Sequence, residues 1–554
     1  MKQLNFFIGV IILMLLISCN KEATKGTKKI FRYNEIGTIN SLDPAFATSL
    51  PNVWATSQLF NTPLAFNEKM EVEPCLAKSW ETSPDGKKYI LHLRNDVFFH
   101  DHPMFKAGKG RKSTAYDLEY SLERVCDTTS IYNQGIWIFK DKVLKDNNGF
   151  ISDTCFKALD DTTLAIYLDH PVPYFLQILC MPFCSMIPKD LATQYGEEFG
   201  RNPVGTGPFA FDTWDEGNTM VFTKNKQYWK KDASGVQLPY LDAVEISFIS
   251  DQSQCFRAFQ LGYFDFVSRL DESVLDDVLY ADGTIKEEIS AKFNVFKGPY
   301  LATDMLGFQL DKNAEVYKDD QNSPFLNPDF RKALSYAVDR KRIVTLLRNG
   351  LGIEGKNGVV PPAMPYYDAT KVKGIEYNPE RAQLFLKKSG FKPAQLKGLK
   401  ITLAKQNQAL AEFLTKTWKE VLGVDVSIDL NDGKVCLDLA ETGRINFFKM
   451  GWLADYPEGE NYLTLFYGSS FSPEGPNRFH YKNKLFDDLY AASISVKEAK
   501  ERGEIYEKMD AIMMNDAPAI VLYYGQILAL MDKKVKGFKL DPMNTLLLER
   551  VDFN

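Results

Sequence analysis

Leu399-Lys-Ile-Thr-Leu-Ala404, then Ala409-Leu-Ala-Glu-Phe-Leu-Thr-Lys-Thr-Trp-Lys-Glu-Val-Leu422 closed by Gly423, then Val424-Asp-Val-Ser-Ile-Asp-Leu430, reads as strand, helix and strand in succession. That unit is the building block of an α/β domain. Helix grammar recurs upstream. Asn327-Pro328 opens a helix with apolar residues at Phe330, Ala333, Leu334, Ala337, Val338, Ile343, Val344 and Leu347, and Gly350 ends it. Asn as cap, Pro at the first helical position and Gly past the end fit the boundary rules. Asn378-Pro379 to Gly390 repeats them in a shorter helix.

The first half of the chain is rich in strands. Ser83-Pro-Asp-Gly86 separates Leu76–Glu81 from Tyr89–Arg94, and Pro-Asp-Gly between period-2 segments marks a hairpin. Further alternating runs cover Ile30–Ile36, Thr163–Leu168, Phe209–Trp214 and Val221–Lys224. The fold class is α/β with more than one domain, as a chain of 554 residues requires.

Composition narrows the function. The chain is 45% hydrophobic and 25% charged, which is ordinary for a globular protein. A formal charge of −6 argues against a nucleic-acid partner, which needs a basic surface. Aromatic residues make up 13%, enough to build large cores and line a ligand cleft as well.

The N-terminus reads as a secretory signal. Met1-Lys2-Gln3 gives a positive start, and Leu4 to Ile17 is apolar apart from Asn5 and Gly9. Fourteen residues at about 1.5 Å each make a helix too short to span a bilayer core comfortably. The closing Leu16-Ile17-Ser18-Cys19 resembles the bacterial lipobox. Cys19 is therefore expected to carry lipid and hold residues 19–29 as a tether at a membrane, outside the cytoplasm. Seven cysteines remain after Cys19, an odd number that excludes a complete disulfide framework. Cys180 and Cys184 are the closest pair; an exported compartment would permit a bridge between them, and buried thiols are preferred over metal ligands.

Catalytic motifs are scarce. Gly350-Leu-Gly-Ile-Glu-Gly355-Lys356-Asn357 nearly spells a phosphate-binding loop, but it follows a helix and lacks the final Ser or Thr. His100 and His102 could meet one ion on a strand face, yet no third histidine lies nearby, and solvated histidines in a turn are the preferred reading. No enzyme activity, cofactor or bound metal is expected.

Several phrases, in order over about 450 residues, resemble the family 5 extracellular solute-binding proteins, the peptide-binding components of ABC importers. They include Ser41-Leu-Asp-Pro44, Glu73-Pro-Cys-Leu-Ala-Lys-Ser-Trp80, Thr114-Ala-Tyr-Asp117, Pro203-Val-Gly-Thr-Gly-Pro-Phe209, Arg331-Lys-Ala-Leu-Ser-Tyr-Ala-Val-Asp-Arg340 and Trp452-Leu-Ala-Asp-Tyr-Pro457. The resemblance implies a two-lobed periplasmic-binding-protein fold of type II, in the large three-domain peptide-binding class. Domain I would take residues 30–51, 201–299 and 519–554, domain II residues 52–200, and domain III residues 300–518, after a signal peptide at 1–18. Hinges are expected near residues 300 and 518.

It also implies a monomer that captures short peptides between its lobes and delivers them to an ABC permease at the periplasm or cell surface. Relatives that bind nickel chelates, haem or oligosaccharides keep other ligands open. In peptide-binding members the acidic residue of the Trp-x-x-Asp-Tyr phrase meets the ligand's α-ammonium, which designates Asp455. Thr38 and Ile39, with Gly451, Trp452 and Leu453, are expected to offer backbone edges to an extended ligand. Lys449 and Arg478 are the candidates for its carboxylate. Two departures stand out: an insertion at Met104–Ser113, and Pro457-Glu-Gly-Glu460 in place of the commoner Asp-Pro pairing.

Overall fold

The computed structural model describes residues 28–318 and 321–554. The signal, Cys19 and nearly all of the tether lie outside the described residues. Ten strands form the spine of the fold: β1 (Ile30–Asn34), β2 (Phe209–Asp215), β3 (Thr219–Lys224), β4 (Ala243–Ser247), β5 (Phe266–Ser268), β6 (Phe293–Phe308), β7 (Lys400–Ala404), β8 (Ser427–Asn431), β9 (Phe447–Leu453) and β10 (Ala519–Asp532). They pair in the order β8-β7-β9-β6-β10-β5-β1-β4-β3-β2, so one sheet runs through the molecule. A separate antiparallel sheet of four strands contains the expected hairpin, Ala77–Thr82 against Lys88–Leu93, with Gly86 at φ +72° in its turn.

The strand-helix-strand unit forms as read. β7 and β8 pair in parallel around a helix, Gln408–Leu422, which Gly423 closes in the left-handed region at φ +68°. The long helix expected from Asn327 does not run through to Gly350. It stops at Tyr336, and the Asp339 carboxylate caps a new turn by accepting from the Arg342 backbone N–H at 3.0 Å. The apolar period survives such a break, because both turns face the same core.

Buried apolar residues separate into distinct cores. One draws on residues between Leu301 and Tyr524, a second mostly on residues between Leu64 and Val204, and a third on β1, β3 and β4 with the C-terminus. A smaller fourth core gathers Cys255–Ile289 with Leu528 and Leu530. The position between residues 51 and 52 falls inside a helix, Leu50–Leu59, whose Trp54, Ala55 and Leu59 pack in the third core.

β6 and β10 belong to both lobes. Their register breaks where Pro299 pairs Gln526 and Thr303 pairs Tyr524, so three residues face the single Gly525. Leu301 sits in that bulge: its N–H donates to Pro542 O and its carbonyl accepts from Ala454 N, both at 2.9 Å. The register of the pair therefore breaks at residues 300–302. Residue 518 immediately precedes β10, and the break in that strand lies further on, at Gly525.

A third connection is absent from the sequence reading. Leu351 packs in the fourth core, Gly352 N donates to Gln526 Oε1 at 3.0 Å, and Ile353–Glu354 pairs with β10. Gly350 makes this possible. It holds φ +69°, and a Cβ there would stand 2.4 Å from the Gly283 nitrogen of the other lobe. Gly350→Ala is expected to destabilise the protein by about 1–3 kcal/mol through strain at this contact. A urea midpoint equal to that of wild type would refute the contact's importance.

Candidate functional site

A cleft of about 1070 Å³ opens between the lobes. One wall comes from Ala47–Thr62, Trp137 and Met181–Ser185, the other from Trp452–Asp455 and Pro473–Arg478, and the C-terminal segment Lys539–Arg550 closes one side. The site is built where β9 ends. Its residues Gly451, Trp452 and Leu453 pair on one side with Asp304, Thr303 and Ala302. On the other side β7 meets β9 at Phe448 alone, so among the described residues the edge beyond Phe448 has no partner strand.

One amide then fixes the two residues that matter most. The Asn461 side chain, fully buried on the turn Glu460–Leu463, accepts from Trp452 Nε1 at 2.9 Å and from the Asp455 backbone N–H at 3.1 Å. It donates in return to Asp455 Oδ2 at 3.2 Å. Asp455 is partly buried and lines the cleft. Burial pushes its carboxyl up to about 7; the Asn461 hydrogen bond opposes this and Glu460 adds to it. No cation is among these influences, so the carboxylate stands desolvated and uncompensated.

The other designated residues fall in varied places. Arg478 lines the cleft and holds Glu441 at 2.7 Å. Lys449 does not line it; its ammonium pairs with Asp304 at 2.5 Å, beside the hinge strands. Residues 37–39 form no strand and do not line the cleft. Thr38 is exposed, and Ile39 is buried in the third core with Phe31 and Tyr33. His100 is a strut and not a solvated side chain. Its Nδ1 accepts from Gly205 N at 3.2 Å and its Nε2 meets Gly207 O at 3.0 Å, while burial lowers its pKa to about 4. The remaining cysteines are free thiols, Cys184 fully buried and Cys180 at the cleft wall.

Residues that the sequence did not single out close the site from the opposite lobe. Trp137 meets Trp452 edge to face, with ring centroids 6.4 Å apart. Tyr174 stacks on Tyr456 at 5.6 Å and 13°, and Tyr456 is buried in the second core although its neighbours in sequence belong to the first. Gln177 donates to Glu458 Oε2 at 3.1 Å. The segment from Trp452 to Glu458 therefore carries the cleft carboxylate at its centre and the inter-lobe contacts at its ends. The unusual Pro457-Glu-Gly-Glu460 was the available signal, since both glutamates turn inward, and Glu460 accepts from Tyr456 at 2.7 Å.

Two lobes joined by continuous strands, with a carboxylate that no cation pairs and an open strand edge in the cleft between them, define a two-lobed solute-binding protein of the type II periplasmic class. The chain belongs to the bacterial extracellular solute-binding proteins, family 5, whose middle region matches residues 71–474. It is 26% identical to the dipeptide-binding protein of Escherichia coli K12, over 94% of each chain. It is likewise 26% identical to heme-binding protein A of Haemophilus influenzae, over 94% of this chain and 92% of the relative. Among solved structures, the periplasmic binding protein DppA of Helicobacter pylori in complex with the peptide STSA superposes with a TM-score of 0.76. That match covers 95% of this chain and 98% of the other at 25% identity.

Proposed function

We propose that this protein captures short peptides in the cleft by closure of its lobes and delivers them to an ABC permease, held at a bacterial membrane, in the periplasm or at the cell surface, by lipid on Cys19. The observation that carries this reading is Asp455, a desolvated carboxylate with no cation, set beside the unpaired edge of β9. A peptide of any sequence presents an α-ammonium and a repeating backbone, and the two features match those two groups. Gly451, Trp452 and Leu453 then pair with the ligand main chain. Arg478 is the designated cation that lines the cleft, and it takes the ligand carboxylate by sharing itself with Glu441. Lys449, held by Asp304, and the segment at Thr38 and Ile39 act on the ligand only if the lobes rearrange. None of the five histidines lines the cleft, which favours peptides over nickel chelates or haem.

The second and first cores correspond in this reading to domains II and III, the third and fourth cores to domain I, and the protein works as a monomer. The test is calorimetric titration of the full-length protein in detergent, unfolded and refolded to strip carried-over ligand, with a pool of di- to pentapeptides. Saturable heat supports peptide capture, and its absence refutes it.

The pH dependence has a fixed sign. The empty site holds Asp455 protonated below about 7, and the ligand ammonium requires the carboxylate. Binding therefore releases a proton, and affinity falls as pH drops from 8 to 5, by up to about ten-fold per unit below 7. A flat profile over that range would exclude Asp455 as the ammonium partner.

A further inference from the structure

Among the described residues, the cleft's cations are all committed to its own carboxylates. Arg478 holds Glu441 at 2.7 Å, Lys539 holds Glu68, and Lys230 holds Glu549 at 2.8 Å, with Arg550 beside the same carboxylate at 3.8 Å. Four further lining carboxylates have no cation partner among the described residues. They are Asp455, Glu73, Glu474 and Asp541, each from a different segment of the chain. Asp541 is satisfied by its own turn, where Met543 N donates at 2.8 Å and the Thr545 hydroxyl also donates. Glu474 is exposed at the rim. Glu73, on the strand Val72–Pro74, is partly buried, and its side chain has no hydrogen bond or ion pair among the described residues. Its charge acts on Lys230, which is already bonded to Glu549.

These groups do not make the site; the inter-lobe cleft does. They set its electrical character, because a walled cleft focuses the field of an uncompensated charge. A zwitterionic peptide brings one ammonium for Asp455 and one carboxylate, for which no uncommitted lining cation exists. Closing the lobes on it would desolvate Glu73 without a partner, and burying an unpaired charge is costly. A ligand carrying an additional cation removes that penalty.

We infer that the cleft selects cationic peptides, with a Lys or Arg side chain meeting Glu73 while the α-ammonium meets Asp455. This rests on the peptide reading above. The full-length protein, refolded free of ligand in detergent, would be titrated with Ala-Lys-Ala, Ala-Ala-Ala and Ala-Glu-Ala at low and high salt. Ala-Lys-Ala is expected to bind about ten-fold or more tightly than Ala-Ala-Ala, and Ala-Glu-Ala weakest, with the spread narrowing as salt screens the cleft. Glu73→Gln is expected to shrink the Lys-to-Ala ratio at least three-fold, the Ala peptide serving as the reference for an intact cleft. Equal affinities, or tightest binding of Ala-Glu-Ala, would overturn charge selection while leaving peptide capture standing. A ratio unmoved by Glu73→Gln would overturn the role of Glu73. If no peptide binds, the peptide reading itself is refuted and this inference falls with it.

Discussion

Asp455→Asn is expected to weaken peptide binding by about 2–5 kcal/mol, thirty-fold or more, and to abolish the pH dependence of affinity. The variant keeps the shape of the side chain and its contact with Asn461, so the cleft keeps its form. What disappears is the charge that an α-ammonium would neutralise. A second measurement separates a ligand group from a turn cap. The Asp455 carboxyl titrates near 7 in the folded, empty protein against an ordinary value of 3.8. A folded pKa above the unfolded one contributes stability that is complete below about 4 and is lost as pH rises through about 7. At pH 8 the empty wild type therefore carries an unfavourable charge that Asn does not. The variant should equal or exceed wild type in urea stability at pH 8 while binding peptide far more weakly. A structural cap would behave oppositely: stability would fall and affinity would follow only indirectly. Wild-type affinity in the variant would remove Asp455 from the site altogether.

Much of the fold was legible because its signals are local. Gly423 closes one helix in the left-handed region, Asn327 and Asn378 cap two others through their side chains, and Gly86 makes its hairpin turn. Each needs only a few neighbouring residues. The break after Tyr336 was missed because Asp339 acts as a cap in a stretch whose apolar spacing continues across it. The site was legible only where one phrase contains it. Trp452 to Asp455 is contiguous, and Asn461 lies a turn away, but nothing local distinguishes that asparagine from any other. Lys449 illustrates the remaining difficulty. Whether it reaches a ligand depends on Asp304, some 145 residues earlier, which the β6–β9 pairing brings to within 2.5 Å. Trp137 and Tyr174 reach the Trp452–Tyr456 segment from another core entirely, so no spacing along the chain announces them.

Arg502→Met is expected to cost about 3–5 kcal/mol of stability. Arg502 and Glu458 are both buried, with side chains 3% and 5% exposed. The guanidinium makes two bonds to the carboxylate, Nε to Oε1 at 2.9 Å and Nη2 to Oε2 at 3.1 Å, and also donates to the Val496 and Lys497 carbonyls. Tyr506 adds a hydroxyl bond to Glu458 at 3.0 Å, and Gln177 reaches it from the opposite lobe. Methionine replaces the volume of the side chain but leaves a buried carboxylate and two carbonyls without their donor. The pair itself need not be stabilising, since desolvation offsets much of its attraction; the cost arises from breaking one side. The double variant Glu458→Gln with Arg502→Met should therefore recover a substantial part of the loss, which a urea titration of both variants reads directly. A single variant within about 1 kcal/mol of wild type, or a double variant no better than the single, would show that Glu458 is sustained by Tyr506 and Gln177 alone. Because Glu458 follows Asp455 by three residues and touches Gln177, the same arginine also positions the segment that carries the cleft carboxylate. The single variant should accordingly lose affinity as well as stability, with its remaining binding still dependent on pH, since Asp455 itself is intact.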